Sequence, residues 1–226
     1  MSNTFRVMVA TGNHSSYAVT ICDEMAASAK TRGTGIARRS PEYIAQKMTE
    51  GKAVIALTQD GEWAGFCYIE SWSHDSYVAN SGLIVSPQFR KSGLAREIKQ
   101  MIFQLSRKKY PEAKIFGLTT GLAVMRINSE LGYEPVTYSE LTQDDAFWEG
   151  CKSCVNYNTL ISKERKNCLC TAMLFDAHLQ VKKEKPIRIP DRKRKLSKLL
   201  IQRLRIFSRI NRNNRHFLQP VTIHIP

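Results

Sequence analysis

The chain has 226 residues, enough for one substantial hydrophobic core, and a formal net charge of +14. Residues 179–226 hold 14 Lys and Arg against two acids, whereas residues 1–178 hold 20 against 18. The body of the chain is therefore expected to be a nearly neutral globular domain. The sequence has no run of 18 apolar residues, which excludes a membrane-spanning helix, and no secretory pattern at its start. We therefore expect a cytoplasmic protein with reduced cysteines.

The predicted elements alternate between strands and helices. Ser40-Pro41-Glu42 is typical of a helix start, and Asp60-Gly61 predicts a hairpin turn. In chain order the predicted elements are a strand at 5–10, helices at 16–30 and 41–51, strands at 53–57, 63–70 and 77–85, a helix after Gly93, a strand at 114–119, a helix at 123–131 and a strand at 133–138. This order predicts an α/β layer structure with a mixed sheet.

A basic corner joins the strand at 77–85 to the helix that follows it. Its residues are Arg90, Lys91, Ser92, Gly93, Leu94 and Ala95. The cations and the hydroxyl supply donors, the glycine lets the backbone approach a ligand closely, and the helix adds its unpaired N–H groups. This pattern predicts a phosphate-binding loop, although many corners of this kind carry an Arg and a Gly without binding anything.

The order of elements and the Arg90-x-x-Gly93-x-Ala95 signature resemble the GCN5-related N-acetyltransferases (the GNAT family) over roughly residues 4–140. Leu131-Gly132-Tyr133 resembles a later helix–turn of the same family. The resemblance implies a GNAT-type mixed, mostly antiparallel sheet flanked by helices. It also implies that residues 90–95 bind the pyrophosphate of acetyl-CoA or another short acyl-CoA, and that backbone N–H groups near Ile84 and Val85 polarise the thioester carbonyl.

Two stretches resemble the acetyltransferase domain of N-acetylglutamate synthases more closely. One is 115–120 together with 131–136, and the other is 39–44. This resemblance implies that Arg39 binds the carboxylate of an amino-acid substrate, a role that suits the planar guanidinium fork. The alternative is that Arg38 and Arg39 form a solvated pair before a helix.

The sequence does not single out one general base. Glu70 and His74 are the candidates for catalytic residues, on or after the strand at 63–70. His74 has a suitable intrinsic pKa but fits a surface loop equally well, and Glu70 could act through a water molecule. The position of the family's usual general-acid Tyr is filled by Asn128, and no covalent acyl-enzyme is required, so Cys67 is expected in the core.

Four cysteines after residue 145 form two close pairs, Cys151-x-x-Cys154 and Cys168-x-Cys170. Four thiolates in this pattern suit tetrahedral Zn²⁺, which predicts a structural zinc site in a small Cys-rich extension. Reduced buried cysteines or a redox pair are the alternatives. The predicted organisation is an acyltransferase domain at 1–145, the extension at 146–178, which ends in a strand at 171–175, and a basic tail at 179–226.

The basic tail repeats apolar residues at about helical spacing, from Leu196 through Leu200 and Leu204, with Lys and Arg between them. It could form an amphipathic helix that binds nucleic acid or an anionic membrane, or it could be a solvated extension.

The sequence as a whole predicts an N-acyltransferase. The expected reaction moves an acetyl or other short acyl group from a CoA thioester to the α-amine of an amino acid, with glutamate in arginine biosynthesis as the first choice. Another small amine or a protein amine is the nearest alternative. A nucleic-acid- or membrane-binding protein acting through its basic tail is the alternative of another class. A homodimer is compatible with these expectations.

Overall fold

Seven strands form one sheet at the centre of the computed structural model, which describes residues 4–33 and 37–179. The strands are β1 (Arg6–Val9), β2 (Ala53–Leu57), β3 (Trp63–Trp72), β4 (Tyr77–Val85), β5 (Lys114–Thr119), β6 (Glu134–Val136) and β7 (Thr171–Phe175). The helices are α1 (Ala18–Arg32), α2 (Pro41–Thr49), α3 (Leu94–Lys109), α4 (Leu122–Glu130), α5 (Asp145–Glu149) and α6 (Tyr157–Ser162). Residues 180–226, which hold nearly all of the basic tail and its predicted amphipathic helix, lie outside the described residues.

Local chemistry explains where the helices begin and end. Ser40 caps α2, because its hydroxyl accepts the Tyr43 N–H at 3.3 Å while Pro41 occupies the first helical position. Helix α1 begins at Ala18, two residues later than predicted, because the preceding Gly12–Tyr17 segment forms a 3₁₀ helix. The Ser40 cap and the preceding 3₁₀ helix thus fix the starts of α2 and α1.

The sheet order is β1-β2-β3-β4-β5-β7-β6, and every pair is antiparallel except β4 with β5. The GNAT-type mixed, mostly antiparallel sheet expected from the resemblance is therefore confirmed. Strand β7 lies between β5 and β6, as the predicted return of 171–175 to the sheet requires. The Cys-rich extension thus ends inside the sheet and belongs to the same folded unit as the rest of the described residues.

Helices cover both faces of the sheet. Along β2, Val54 and Ala56 pack in the core that includes Ile98 and Ile102 of α3, whereas Ile55 packs in the core that α1 and α2 share. Successive residues of a strand point to opposite faces, so α3 lies on one face and α1 with α2 on the other. A third apolar cluster joins β5 and β7 to residues from α5 and α6.

Strands β4 and β5 separate in the middle of the sheet. Their parallel pairing covers only Tyr77–Ala79 against Lys114–Phe116. Beyond these residues β4 stays paired with β3 and β5 stays paired with β7, so an opening forms between them. Among the described helices, none is both long and apolar enough to cross a bilayer.

Candidate active site

A cavity of about 230 Å³ lies at the opening between β4 and β5. Side chains from α3, α4, β3, β4 and the segments before α2 and after α5 line it. Its polar and ionisable wall includes Arg39, Glu70, Asn80, Lys99, Asn128 and Cys151. The chain thus brings the predicted substrate-binding Arg39 and the predicted base Glu70 to one cavity.

Arg39 and Glu70 form an ion pair in the cavity wall. The Arg39 Nη2 lies 3.1 Å from Glu70 Oε1, and its Nε donates to the Tyr68 hydroxyl at 3.0 Å. The Tyr43 hydroxyl donates to the same Glu70 oxygen at 2.5 Å. Glu70 is only 5% exposed, so these donors replace the water that an ionised carboxylate needs. The four side chains hold the guanidinium and the carboxylate in fixed orientations.

The electrostatics of this cluster keep Arg39 and Tyr43 each in one protonation state. Burial lowers the pKa of Arg39, but the neighbouring oxygens of Tyr68 and Glu70 outweigh it and raise that pKa overall. Burial and the Glu70 carboxylate together raise the pKa of Tyr43 well above its usual range. Arg39 is therefore a permanent cation and Tyr43 a permanent hydrogen-bond donor. The Arg39 guanidinium also lies 5.3 Å from the centre of the Tyr43 ring.

His74 does not share this site. It is exposed in the turn between β3 and β4, where Ser73, His74 and Asp75 all have left-handed backbone with φ of 52°, 54° and 62°. His74 was predicted as a catalytic residue because it follows Glu70 closely in the sequence. In the structure, however, His74 does not line the cavity. Of the two predicted bases, only Glu70 lines the cavity.

The predicted phosphate-binding loop lies directly after β4. Lys91 and Gly93 both have left-handed backbone, with φ of 65° and 91°. The Ser92 hydroxyl donates to the Phe89 carbonyl at 2.7 Å, which fixes the turn, and α3 begins at Leu94. A Cβ at Gly93 would meet nothing within 4 Å, so an anion has room to approach this backbone and the first turn of α3, which includes Ala95. The residues present fit a pyrophosphate group.

Arg90 points to another part of the chain. Its Nη2 forms an ion pair with Glu24 at 2.7 Å and donates to the Ser28 hydroxyl at 2.9 Å, while its Nε donates to the Val85 carbonyl at 3.2 Å. The guanidinium therefore ties the loop to α1. Ile84 and Val85 pair with Phe66 and Gly65 of β3, and their predicted role in polarising a carbonyl stays a prediction.

A second polar group reaches the cavity from α3. The Lys99 Nζ is 3.4 Å from Asn80 Oδ1 and 5.3 Å from the centre of the Tyr133 ring. Asn80 Oδ1 also accepts the Tyr133 hydroxyl at 2.9 Å, and its Nδ2 donates to Ser106 at 2.8 Å. Burial lowers the pKa of Lys99 to about 8. Asn128 lies in the same cavity wall and is 1% exposed.

The sequence missed Tyr43, Tyr68 and Lys99 as site residues. Lys99 carried the clearest signal, because it is a charge on the face of α3 formed by Ile98 and Ile102, and both isoleucines are fully buried. A helix that buries that face must also bury the lysine. The two tyrosines carried no comparable signal, since an aromatic residue in a buried strand or helix usually serves the core.

The four late cysteines, Cys151, Cys154, Cys168 and Cys170, are half-buried free thiols that line the cavity. Burial, together with neighbouring thiols, raises the pKa of Cys151 to about 11 and that of Cys170 to about 12. In residues 4–33 and 37–179, no group of three or more His, Cys, Asp or Glu side chains is placed to hold a metal ion. The structure therefore does not support the predicted zinc site. A tetrahedral zinc site needs four sulfurs that each lie about 2.3 Å from one common point, and lining the same cavity does not meet that requirement.

A scan against protein-family models finds no match, and neither does a comparison with curated proteins. Solved structures do match. An N-acetylglutamate synthase from Neisseria gonorrhoeae, solved with coenzyme A and N-acetyl-glutamate, is 17% identical over 78% of this chain and 36% of its own, with a TM-score of 0.55. A Mycobacterium tuberculosis protein in complex with CoA is 16% identical over 76% and 98%, with a TM-score of 0.53.

A third match is a phosphinothricin acetyltransferase from Sinorhizobium meliloti in complex with AcCoA. It is 14% identical over 78% of this chain and 89% of its own, with a TM-score of 0.50. This chain spans about a third of the length of the Neisseria synthase. At these identities the similarity concerns the fold, and it agrees with the strand order and the central opening described above. The chain has the fold of the GCN5-related N-acetyltransferases.

Proposed function

We propose that the protein transfers an acyl group from a CoA thioester to the α-amine of an amino acid. One observation carries the proposal: the cavity at the separation of β4 and β5 has an ion-paired Arg39 and Glu70 in its wall, and β4 continues into the loop at residues 90–95. An anion-binding loop and a carboxylate-binding cation beside one opening suit a two-substrate reaction between a phosphate-bearing donor and an amino acid.

The loop is proposed to hold the donor. Its left-handed Lys91 and Gly93 leave backbone open to an anion, and the first turn of α3 adds N–H groups and the positive end of the helix dipole. Three of the solved structures with this fold contain CoA or acetyl-CoA, which supports the same placement here. The donor's acyl end would then reach the opening beyond Ala79, where β4 has parted from β5.

Arg39 is proposed to bind the carboxylate of the acceptor. Tyr68, Glu70 and the Arg38 carbonyl already fix its guanidinium, so little side-chain entropy remains to be lost on binding. The Neisseria synthase was solved with N-acetyl-glutamate, which makes glutamate, and hence arginine biosynthesis, the first acceptor and pathway to test. Another small amine or a protein amine would use the same donor chemistry without needing Arg39.

Glu70 is proposed to take the proton from the acceptor amine, directly or through a water molecule. The amine then attacks the thioester carbon, a C–N bond forms and the C–S bond breaks. The second proton, which the nitrogen loses as the C–N bond forms, goes to the departing CoA thiolate, while Glu70 keeps the proton it took before the attack. Cys67 is fully buried, and burial raises the pKa of its thiol to about 11, so it stays protonated in the core and takes no part as a nucleophile.

The first prediction tests both halves of this proposal in one assay. Thiol release from acetyl-CoA and other short acyl-CoAs is measured against a panel of amino acids, with wild type and Arg39→Ala. We expect Arg39→Ala to raise the KM for the acceptor by roughly 10- to 100-fold, because a bidentate carboxylate contact is lost, while the KM for the donor changes little.

Arg107→Ala is the matched control. Arg107 donates to the Pro111 carbonyl at 2.6 Å and stacks on Phe175, and it does not line the cavity. It should leave both KM values unchanged. An acceptor KM that is the same in Arg39→Ala and wild type contradicts the carboxylate role, and the absence of thiol release with every acceptor contradicts the proposed function.

A further inference from the structure

Lys99 is a buried cation that no carboxylate of the described residues pairs with. Its side chain is part of the cavity wall although the residue is only 2% exposed, and within the described part of the chain its Nζ makes one hydrogen bond, to Asn80 Oδ1 at 3.4 Å. That oxygen also accepts the Tyr133 hydroxyl at 2.9 Å. Within residues 4–33 and 37–179, no carboxylate forms an ion pair with Lys99. An ammonium has three donors, so most of its hydrogen-bonding capacity is unused.

Burial disfavours the charged form of this side chain. It lowers the pKa of Lys99 from its ordinary 10.5 to about 8, because the ammonium is removed from water and no carboxylate of the described residues pairs with it. A ligand anion in the cavity would reverse the effect. Buried lysines without a partner are rare in protein cores, which points to a partner that arrives with a substrate.

Asn128 supplies an independent observation in the same wall. It is 1% exposed, and its Oδ1 has no hydrogen-bond partner among the described residues. Its Nδ2 makes only a weak contact with the Met173 sulfur at 3.7 Å. The two ends of a carboxamide exchange by rotation about one bond, so Asn128 can present either a donor or an acceptor to the cavity. A carboxylate could accept from both Lys99 and Asn128.

The faces of the sheet separate this pair from Arg39. Lys99 belongs to α3, which packs on one face, whereas Arg39 directly precedes α2, which packs on the other. Helix α3 is also the helix that begins at the proposed pyrophosphate loop. Lys99 therefore reaches the opening from the donor's side and Arg39 from the acceptor's side.

Resting on the proposed function, we infer that Lys99 and Asn128 bind a terminal carboxylate on the acyl group of the donor, so that the preferred donor is a dicarboxylic acyl-CoA. Succinyl-CoA is the probe for this class. A methyl group, as in acetyl-CoA, would bring nothing to pair with the ammonium. The carboxylate of a four-carbon acyl chain would supply the missing anion and would satisfy the carboxamide at the same time.

The test compares succinyl-CoA with acetyl-CoA in the thiol-release assay, using wild type, Lys99→Met and Asn128→Leu at a fixed acceptor. We expect wild type to favour succinyl-CoA by at least about 100-fold in kcat/KM, because a site built to pair a polar group discriminates strongly against an analogue that lacks it. Lys99→Met should remove most of this preference by lowering kcat/KM for succinyl-CoA alone. Asn128→Leu should reduce it by roughly 10-fold.

Lys114→Met is the matched control, because Lys114 pairs with Asp176 at 3.5 Å outside the cavity and should leave the donor ratio unchanged. The inference is overturned if wild type prefers acetyl-CoA, or if Lys99→Met lowers turnover of both donors equally. In a second series the acceptor is varied. If Lys99→Met then changes the preference for glutamate over glutamine and leaves the donor ratio intact, the carboxylate belongs to the acceptor and the inference is overturned as well.

A separate binding measurement distinguishes failure of the inference from failure of the proposed function. Calorimetric titration of the full chain with CoA and with succinyl-CoA needs no acceptor. We expect succinyl-CoA to bind at least about 10-fold more tightly than CoA, and Lys99→Met to abolish the difference. Equal binding of the two by wild type overturns the inference. Binding without turnover of any acceptor leaves the donor assignment standing and removes the transferase proposal.

Discussion

At the scale of single residues, Glu70 and Arg39 depend on each other, because each balances the other's charge. A buried carboxylate that lost its guanidinium would remain as an uncompensated charge, and breaking such a pair typically costs about 3–5 kcal/mol. Tyr43 and Tyr68 add one hydrogen bond to each partner, at 2.5 Å and 3.0 Å. Under the proposed function, a substrate carboxylate would approach a cation whose charge Glu70 already balances, and it would therefore bind reversibly.

The second prediction concerns Tyr43→Phe. This change removes the hydroxyl that donates to Glu70 and leaves the ring in place. We expect a loss of about 2 kcal/mol in the free energy of unfolding, since hydrogen bonds to charged groups contribute about 1.5–3 kcal/mol. Turnover should fall and the acceptor KM should rise, because Glu70 and Arg39 lose part of their orientation. Denaturant unfolding and the thiol-release assay measure the two effects.

Tyr17→Phe is its control. The Tyr17 hydroxyl donates to the Gly61 carbonyl at 2.6 Å, on a neutral acceptor outside the cavity. It should cost stability without moving either KM. If the two variants change turnover alike, Tyr43 stabilises the fold and has no separate role in positioning Glu70.

At the scale of elements, the corner between β4 and α3 depends on backbone conformation. The third prediction is that Gly93→Ala weakens CoA binding by roughly 10-fold. The left-handed φ of 91° is costly for alanine, by about 1–2 kcal/mol, and relief of that strain shifts the loop. There is open space around the position, so no clash contributes. Calorimetric titration with CoA measures the affinity.

Gly61→Ala provides the comparison, because Gly61 has a similar φ of 84°, has equally open surroundings and lies in the turn between β2 and β3. It should lower stability to a similar extent and leave CoA affinity unchanged. Equal CoA affinities for the two variants and wild type would remove the anion-binding role of the loop.

The elements themselves follow from the sequence where one local signal decides. Strands β2, β4, β5 and β7 have the predicted bounds, because each is a short, largely apolar run closed by turn residues. The sequence did not predict contacts between side chains that are far apart in the chain. Arg90 was predicted to face a phosphate and instead pairs with Glu24, 66 residues away. Tyr43 and Glu70 meet only because α2 packs over β3. Such contacts depend on how elements pack, which periodicity does not encode.

The structure does not support two of the predicted site features. His74 has suitable chemistry, but a turn with three consecutive left-handed residues takes it to the surface. The four cysteines do gather around one cavity, as their spacing suggested, yet within the described residues they do not form a metal-binding group. Residue type and spacing indicated which segments lie near the cavity, whereas the positions of individual side chains could not be predicted from them.

At the scale of the whole molecule, Lys99 links the candidate site to stability. Its pKa is about 8 in the fold and ordinarily 10.5, so Lys99 makes the free energy of unfolding depend on pH. Between these values the unfolded chain binds more protons than the folded one, so the free energy of unfolding rises with pH. Below pH 8 both states are charged and the burial cost is present in full.

The last prediction follows from this sign. The stability of wild type minus that of Lys99→Met should increase by about 3 kcal/mol between pH 7.5 and 10.5, since one pKa unit corresponds to about 1.4 kcal/mol. Denaturant unfolding of both proteins across this range measures it, and other titrating groups cancel in the difference. A difference that stays constant with pH would show that Lys99 is not buried as a charge-sensitive group.

The three-residue parallel ladder between β4 and β5 also has a mechanical consequence. Hydrogen bonds of Tyr77–Ala79 with Lys114–Phe116 connect β1 to β4 on one side of the sheet with β5, β7 and β6 on the other. An elongated ligand bound in the opening would contact both β4 and β5 and would hold the two strands at a fixed separation. Motion of β4 relative to β5 would then be smallest with the ligand bound, and it would increase when the product leaves.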